Sequence, residues 1–361
     1  MSGVSKRFRI VSGAGLALVL GFGLTGCPPA EPGGGSTTTT STPPGQDCTS
    51  APNIPIDKYM GEEVSELPVD TRSATWMSSI VATDPNLKVG VSSGRSYDNV
   101  FRPPGFPVNF VPNDYPLVPW TINLDVLRPV QYPSLDGVVW QGYPDPLAYQ
   151  YSDAYLLTVF ADCRSTEQIG VSPGLGAPNM YDGVRWDADY TPSVDPSTGL
   201  LNGVDAAHVP LTTAIYRSTE ALNGTINHVG HIATTVCSGG APTLGTAFIW
   251  PARSTDCTGT YNPANPPYGA WMRLRADYPV PSDARAAGIV KALKTYGAVI
   301  GDGGSNLTTP TIYAEEMPQS TITALESIPW SDFDFVDAQG LRADPTAAVG
   351  DADYWDTASA R

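Results

Sequence analysis

Positive charge is scarce in this sequence. Lys and Arg number 20 against 36 Asp and Glu, a formal charge of −16. A surface of that sign repels phosphate backbones, which argues against duplex nucleic acid as a partner. Histidine is scarcer still, with three residues. The five cysteines never fall in a C-x2-C spacing, so the usual zinc-site pattern is missing. No G-x-x-x-x-G-K-[ST] loop occurs, which removes the P-loop nucleotide classes. Beyond the first two dozen residues no apolar run is long enough to cross a membrane. Helix breakers are abundant instead: 36 Gly and 35 Pro are about a fifth of the chain, against a usual share of roughly 12%. That content argues against helical bundles, coiled coils and helical solenoids. Hydrophobic residues make up 41% of the 361, with eight Trp and 17 Tyr, enough to bury a core and to exclude global disorder.

The N-terminus reads as an address. Lys6, Arg7 and Arg9 precede the apolar stretch Ile10 to Gly23, which has the length of a signal-peptide core. Leu24-Thr25-Gly26-Cys27 follows and resembles the bacterial lipobox. That resemblance implies cleavage after residue 26 and acylation of Cys27. Acyl chains contribute about 0.8 kcal/mol per buried methylene, so several of them hold a protein on a membrane that it does not cross. Residues 27–47 then carry no Leu, Ile, Val or aromatic side chain. They cannot offset the entropy of folding and are expected to form a disordered tether. The expected location is the extracytoplasmic cell envelope.

Setting Cys27 aside leaves Cys48, Cys163, Cys237 and Cys257, an even number that suits disulfides in an oxidising compartment. Three pairings are open. The favoured one joins Cys237 to Cys257 across a Gly/Pro/Thr-rich loop and Cys48 to Cys163 at the start of the domain.

From residue 48 to 361 the chain reads as one mainly-β domain, a β-sandwich of jelly-roll type with a few packed short helices. Leu156 to Phe160 is a short apolar run between Asp153 and Asp162, the pattern of a buried strand. Thr246 to Trp250 is a second, stopped by Pro251. Trp271 to Tyr278 alternates, with Trp271, Arg273, Arg275 and Asp277 on a mostly polar face. Long loops rich in Pro, Gly and Asn separate such runs, which favours a sandwich or barrel. Three stretches have helical spacing. One spans Thr71 to Ile80. Another starts at Ser282 as N-cap, carries Ala286, Ile289, Val290 and Leu293, and stops at Gly297. The last spans Thr321 to Ile328.

The C-terminal third shows an ordered motif set. Arg273-x-Arg275 is followed by Ala292-Leu293-Lys294-Thr295-Tyr296-Gly297, then Asp302-Gly303-Gly304-Ser305-Asn306, then Ser331-Asp332-Phe333. Upstream stand Leu67-Pro68-Val69-Asp70-x-Arg72, Val204-Asp205-Ala206-Ala207, Ile226-Asn227-His228 and Ile249-Trp250-Pro251-Ala252. This set, covering about residues 64–337, resembles a group of secreted bacterial proteins of unknown function. The chain departs from the group at Gly303, where Asn is frequent, and at Ser254, where His is frequent. The resemblance implies a shared fold unit and secretion, and implies no reaction.

Candidate chemistry is thinly spread. His228 is the favoured general acid or base, because it lies in the motif set. His228 and His231 are three apart, so on a strand they would point to opposite faces and would not share a metal. Asp302 opens a polar Gly-rich loop in which Asp302 and Asn306 could take a sugar hydroxyl or Ca²⁺. Trp271, Arg273 and Arg275 share a strand face suited to carboxylated sugars or phosphate. Trp186 and Tyr181 lie among Asp182, Asp187, Asp189 and Asp195, the company of aromatics and carboxylates that carbohydrate sites use.

Two functions follow as expectations. The first is a lipid-anchored surface binding or structural domain, with polysaccharide or another envelope component as ligand. The second is a carbohydrate-active hydrolase or lyase. Mass spectrometry of the N-terminal peptide is expected to find acylated Cys27 as the first residue. Cys27→Ser is expected to move the protein from the membrane fraction to the soluble one; a protein that stays membrane-bound would refute the anchor.

Overall fold

In a computed structural model, described residues are 48–49, 60–83, 89–91, 105–122, 126–143, 153–174, 177–186, 204–234, 236–239, 248–252, 254–257, 259–303 and 309–343. Cys27, Asn306, Asp187, Asp189, Asp195 and the tether lie outside them. The described residues all fall in one contact unit, Thr42–Arg361.

Strands dominate. They are β1 (Gly90–Val91), β2 (Val108–Val111), β3 (Leu117–Ile122), β4 (Val126–Pro133), β5 (Leu156–Phe160), β6 (Ser165–Ile169), β7 (Asn179–Met180), β8 (Asp182–Trp186), β9 (Gly230–Thr234), β10 (Trp271–Leu274), β11 (Ala298–Gly303), β12 (Thr311–Ile312) and β13 (Phe333–Val336). Helices are α1 (Ser73–Thr83), α2 (Leu211–Ala214), α3 (Ser218–Asn223), α4 (Ala284–Thr295) and α5 (Gln319–Leu325). The strands form a six-stranded sheet in the order β1-β12-β9-β11-β10-β13, a four-stranded sheet β2-β5-β6-β8 and a three-stranded sheet β4-β3-β7. The mainly-β expectation holds. Parallel pairs occur in all three sheets: β1 with β12, β9 with β11, β2 with β5, and β3 with β7.

The sheets share cores. Leu156 and Phe160 of β5 meet Trp120 of β3, Tyr132 of β4 and Met180 of β7. The opposite face of the four-stranded sheet, with Leu157, Val159, Val184 and Trp186, meets Ala233 of β9, Leu211 of α2 and Tyr313. The four-stranded sheet is therefore covered on both sides. That explains why β5 is a continuous apolar run, LLTVF, buried at every position, and not an alternating one.

Helices cover the remaining face of the six-stranded sheet. The residue before α4, Asp283, caps it by accepting from Ala286 N at 3.0 Å. The cap thus falls one residue after the expected Ser282. Ala286, Ile289, Val290 and Leu293 are buried as the spacing predicts. Gly297 (φ 67°) ends the run in the left-handed conformation that glycine adopts freely. At Gly288 a Cβ would lie 2.1 Å from the Ala221 carbonyl oxygen, so the absent side chain sets how closely α3 approaches α4. Helix α1 buries Trp76 and Ile80, and Trp76 meets Phe335 of β13 edge-on at 5.2 Å. Helix α5 buries Ile322 and Leu325.

Two strand expectations change. Residues 248–250, the described part of 246–250, form no strand; Phe248 joins Tyr268 in an isolated bridge. The alternating segment is a strand only over Trp271–Leu274, and its second face is covered, with Trp271 1% exposed.

Both disulfides of the favoured pairing are present, Cys48–Cys163 and Cys237–Cys257. The first links positions 115 apart and the second positions 20 apart. By loop-closure entropy, removing the long link with a Cys48→Ala/Cys163→Ala pair should cost about 1.5 kcal/mol more than removing the short one. Urea denaturation of the two double variants checks the order.

Candidate functional site

The site grows from one irregularity in β11. In a parallel ladder, paired residues share a face and successive residues alternate. Val299 pairs with His231, and Ile300 with Ile232. Regular alternation would put Asp302 with Ile300, on the helix-covered side. Instead the register shifts between Ile300 and Asp302, so that Asp302 pairs with Ala233. Gly301 is the extra residue. The bulge turns Asp302 onto the face that carries His231 and Ala233. Tyr313, just after β12, joins that face and stacks on the His231 ring at a centroid distance of 4.4 Å.

Close approach at the bulge depends on the missing side chain. A Cβ on Gly301 would lie 2.2 Å from His231 Nε2 and 3.0 Å from Asp205 Oδ2. Asp205 arrives on the segment ahead of α2. Ala207 N donates to the Gly301 carbonyl at 2.8 Å, which fixes that segment to the bulge. Asp205 Oδ1 accepts from Val209 N at 2.9 Å, and its Oδ2 accepts from His231 Nε2 at 3.0 Å. The carboxylate therefore places the His231 proton on Nε2 and leaves Nδ1 bare. Burial pulls His231 down to about 4, against the opposing charge of Asp302, so the ring is neutral at neutral pH.

Asp302 is the outermost of these groups, 8% exposed beside exposed Asp153. Its Oδ2 accepts from the Tyr313 hydroxyl at 2.7 Å and its Oδ1 from Gly303 N at 2.7 Å. Burial pushes its carboxyl up to about 7 and the charge of Asp153 adds to this, while Tyr313 and His231 oppose. A carboxyl at that value can give or take a proton near neutrality. Burial, together with the surrounding acids, also lifts the hydroxyls of Tyr155 and Tyr313 well above their ordinary value.

A further acid faces this group from the four-stranded sheet. Glu167 pairs with Leu157 and Val184 and so shares their side of the sheet. It is fully buried, and Thr212 of α2 donates to its Oε1 from the backbone at 2.7 Å and from the hydroxyl at 2.8 Å. Among the described residues its Oε2 has no hydrogen-bond partner. Burial raises its carboxyl to about 7, and Asp205 adds to the rise.

The residues expected from the sequence scatter. Asp302 is in the cluster; His228 is not. His228 lies fully buried beside α3. Its Nδ1 donates to the Val229 carbonyl at 2.8 Å, and its Nε2 is 3.4 Å from Glu220 and 3.5 Å from Arg217. Arg217 donates to Glu220 at 2.7 Å and to the Thr212 carbonyl at 2.7 Å. Burial works to raise Glu220, but Arg217 and His228 outweigh it and hold the carboxyl below its usual range. Arg273 donates to the carbonyls of Val64, Ser65 and Leu67, anchoring the N-terminal segment to β10. Arg275 pairs with Asp332 at 2.6 Å. Trp271 and Trp186 are each 1% exposed. Trp271 Nε1 donates to the Tyr296 carbonyl at 2.7 Å. The one cluster member that the sequence analysis favoured as a site residue is thus Asp302. His231, Asp205, Tyr313 and Glu167 carry no local motif; only the shared motif set containing Asp205 and Asp302 marked two of them together.

Among the described residues no group of three or more His, Cys, Asp or Glu could hold a metal ion, and no helix is long and apolar enough to cross a membrane. No family model matches the chain, and no curated protein or solved structure is significantly similar to it.

The shifted groups set a pH dependence. A carboxyl raised to about 7 contributes stability that is fully present below its ordinary value and lost as pH rises through about 7. His231, lowered to about 4, works in the opposite sense: its contribution is present above about 6.5 and lost as pH falls through about 4. Asp302→Asn removes one raised carboxyl. The variant should therefore lose less stability than the wild type between about pH 4 and about pH 8 in urea titrations. Equal losses would show that Asp302 titrates normally.

Proposed function

We propose that this protein is a lipid-anchored component of the cell envelope, and that its domain acts on polysaccharide by proton transfer at Asp302, as a hydrolase or lyase. The membrane is its partner through acyl chains on Cys27. Two disulfides support an oxidising, extracytoplasmic setting. The observation that carries the chemical part is the bulge at Gly301, which collects Asp302, His231 and Tyr313 on one face and leaves Asp302 outermost, raised to about 7. Tyrosines beside carboxylates suit a hydroxyl-rich substrate. Asp302 exchanges the proton; Tyr313 holds its carboxyl by a hydrogen bond. Asp205 orients neutral His231 behind it.

The purely binding reading rests on an aromatic platform. Trp271 and Trp186 are buried, which weakens that reading among the described residues. A jelly-roll-like sandwich belongs to the same proposal. Its support is the core shared by the four- and three-stranded sheets, and the parallel pairs β2–β5 and β3–β7 depart from an antiparallel jelly roll.

The test is a glycan array probed with the purified protein and read for both retention and cleavage. Cleavage is expected, and Asp302→Asn should reduce it by roughly a hundredfold or more. Cleavage that survives Asp302→Asn would remove the site. Retention without cleavage would leave a binding domain, and neither would remove polysaccharide altogether.

A further inference from the structure

One end of the four-stranded sheet holds an exposed acid and an exposed aromatic ring on either side of a single glycine. Strand β6 stops at Ile169, whose register partner is Asp182 at the start of β8. Gly170 follows in the left-handed conformation, φ 71°. Its N–H donates to the Asp153 carbonyl at 2.6 Å, and Val171 N donates to the Ala154 carbonyl at 3.1 Å. Tyr181 N donates to the Ile169 carbonyl at 2.7 Å. The glycine therefore lies between Asp153, ahead of β5, and Tyr181, ahead of β8. Ala154 is itself left-handed, φ 49°, a conformation that a non-glycine residue keeps where surrounding bonds impose it.

The ring of Tyr181 lies flat on Gly170. A Cβ at that glycine would sit 2.5, 2.3 and 2.9 Å from three consecutive ring carbons, Cγ, Cδ2 and Cε2. Spacing that even marks an approach to the face of the ring, since an approach to its edge would single out one carbon. Glycine at 170 thus backs an aromatic plate that any side chain there would displace. Tyr181 is 47% exposed, so its other face is open to solvent. A ligand reaches such a face from the surface and needs no cavity.

The acid beside this plate belongs to the surroundings of Asp302. Asp153 is exposed, and its charge acts on Asp302, Tyr155 and Tyr313. Packing makes the same connection. Tyr155, two residues after Asp153, meets Phe106 at a centroid distance of 5.4 Å. Phe106 stacks on Tyr313 at 4.2 Å, and Tyr313 donates to Asp302. A column of rings thus runs from the entry of β5 to the Asp302 carboxyl.

We propose that Tyr181 and Asp153 form a glycan-ring subsite of the Asp302 site, selective for neutral sugars. The open face of Tyr181 takes the apolar C–H face of a sugar ring. The Asp153 carboxylate accepts from the sugar hydroxyls, in bonds strengthened by its charge. Selectivity follows from sign. Asp153 and Asp182 flank the ring, and their carboxylates repel a carboxylated or sulfated sugar. The arginines that the sequence offered for such sugars are engaged elsewhere, Arg273 on three backbone carbonyls and Arg275 on Asp332. The subsite rests on the polysaccharide reading above and adds to it the kind of sugar.

The experiment measures retention and cleavage of soluble glucan, mannan and xylan, with polygalacturonate as the acidic probe, by the full-length protein. At least one neutral polymer is expected to be retained and cleaved, and polygalacturonate neither. Tyr181→Ala should raise KM for that polymer roughly tenfold while kcat falls less. Tyr181→Phe keeps the ring and should keep KM close to the wild-type value. Tyr181→Leu fills the space without a flat face and gives the same reading should the Ala variant fail to fold. Asp302→Asn should still retain the polymer, and adding Tyr181→Ala to it should release it, a readout that needs no turnover. Tyr181→Ala and Tyr181→Leu with wild-type KM and retention would overturn the subsite and leave the polysaccharide reading standing. Preference for polygalacturonate would overturn the selectivity. A wild type that neither retains nor cleaves any of the polymers would end both readings together.

Discussion

A one-residue bulge at Gly301 decides which side of the main sheet receives Asp302. Side chains alternate strictly along a strand, so a single inserted residue moves everything after it to the other face. Without the insertion, Asp302 would enter the apolar core beneath the helices, beside Ile300 and Ile232. With it, the carboxyl meets Tyr313 and shares a face with His231. The same residue must be glycine, because a Cβ would collide with His231 and Asp205. Its carbonyl also ties down the segment that carries Asp205. The position of the acid, the approach of its neighbours and the anchoring of the next segment all follow from that residue.

Buried charge is handled in two ways. Around α3, Arg217, Glu220 and His228 meet at hydrogen-bond or near hydrogen-bond distances, and the carboxylate is favoured as an ion. Such a matched set is what a core demands of any charge it encloses. Between the main sheet and the four-stranded sheet the balance differs. Burial is the largest influence on Asp302 and on Glu167, another acid adds to each, and both carboxyls are held near neutrality. Structural pairs stabilise a charge; groups that exchange protons are kept close to losing or gaining one. The contrast separates the two histidines by role, although they lie three residues apart.

The four-stranded sheet links the parts of the molecule. Its β5 reads as buried from sequence because Leu156 to Phe160 is apolar almost throughout. Its β6, Ser165-Thr166-Glu167-Gln168-Ile169, is nearly as buried yet has the composition of a surface strand. Hydropathy cannot announce such a strand. Its burial comes from layers contributed by distant parts of the chain, one face meeting α2 and the other meeting the layer of β3 and β4. The buried polar residues of this sheet, Glu167 on one side and the paired Thr158 and Thr166 on the other, follow from placing polar residues in a doubly covered sheet.

Composition alone argued against the helical architectures and against duplex nucleic acid, because breaker content and net charge act without regard to position. Local spacing fixed α4, since one helical face must be apolar wherever the helix packs, though the cap fell on Asp283 and not Ser282. The count of cysteines and their setting in the chain left three pairings open and favoured the one the structure holds. The site was a different matter. Asp302 was visible as a polar Gly-rich loop, but the choice of His231 over His228 was not, because which histidine shares a face with Asp302 depends on register between strands some 70 residues apart in the chain, Val299 against His231. The alternation that reveals a strand in sequence says nothing about where that alternation breaks, and the break at Gly301 is held by contacts that exist only once the sheet and the segment before α2 have come together.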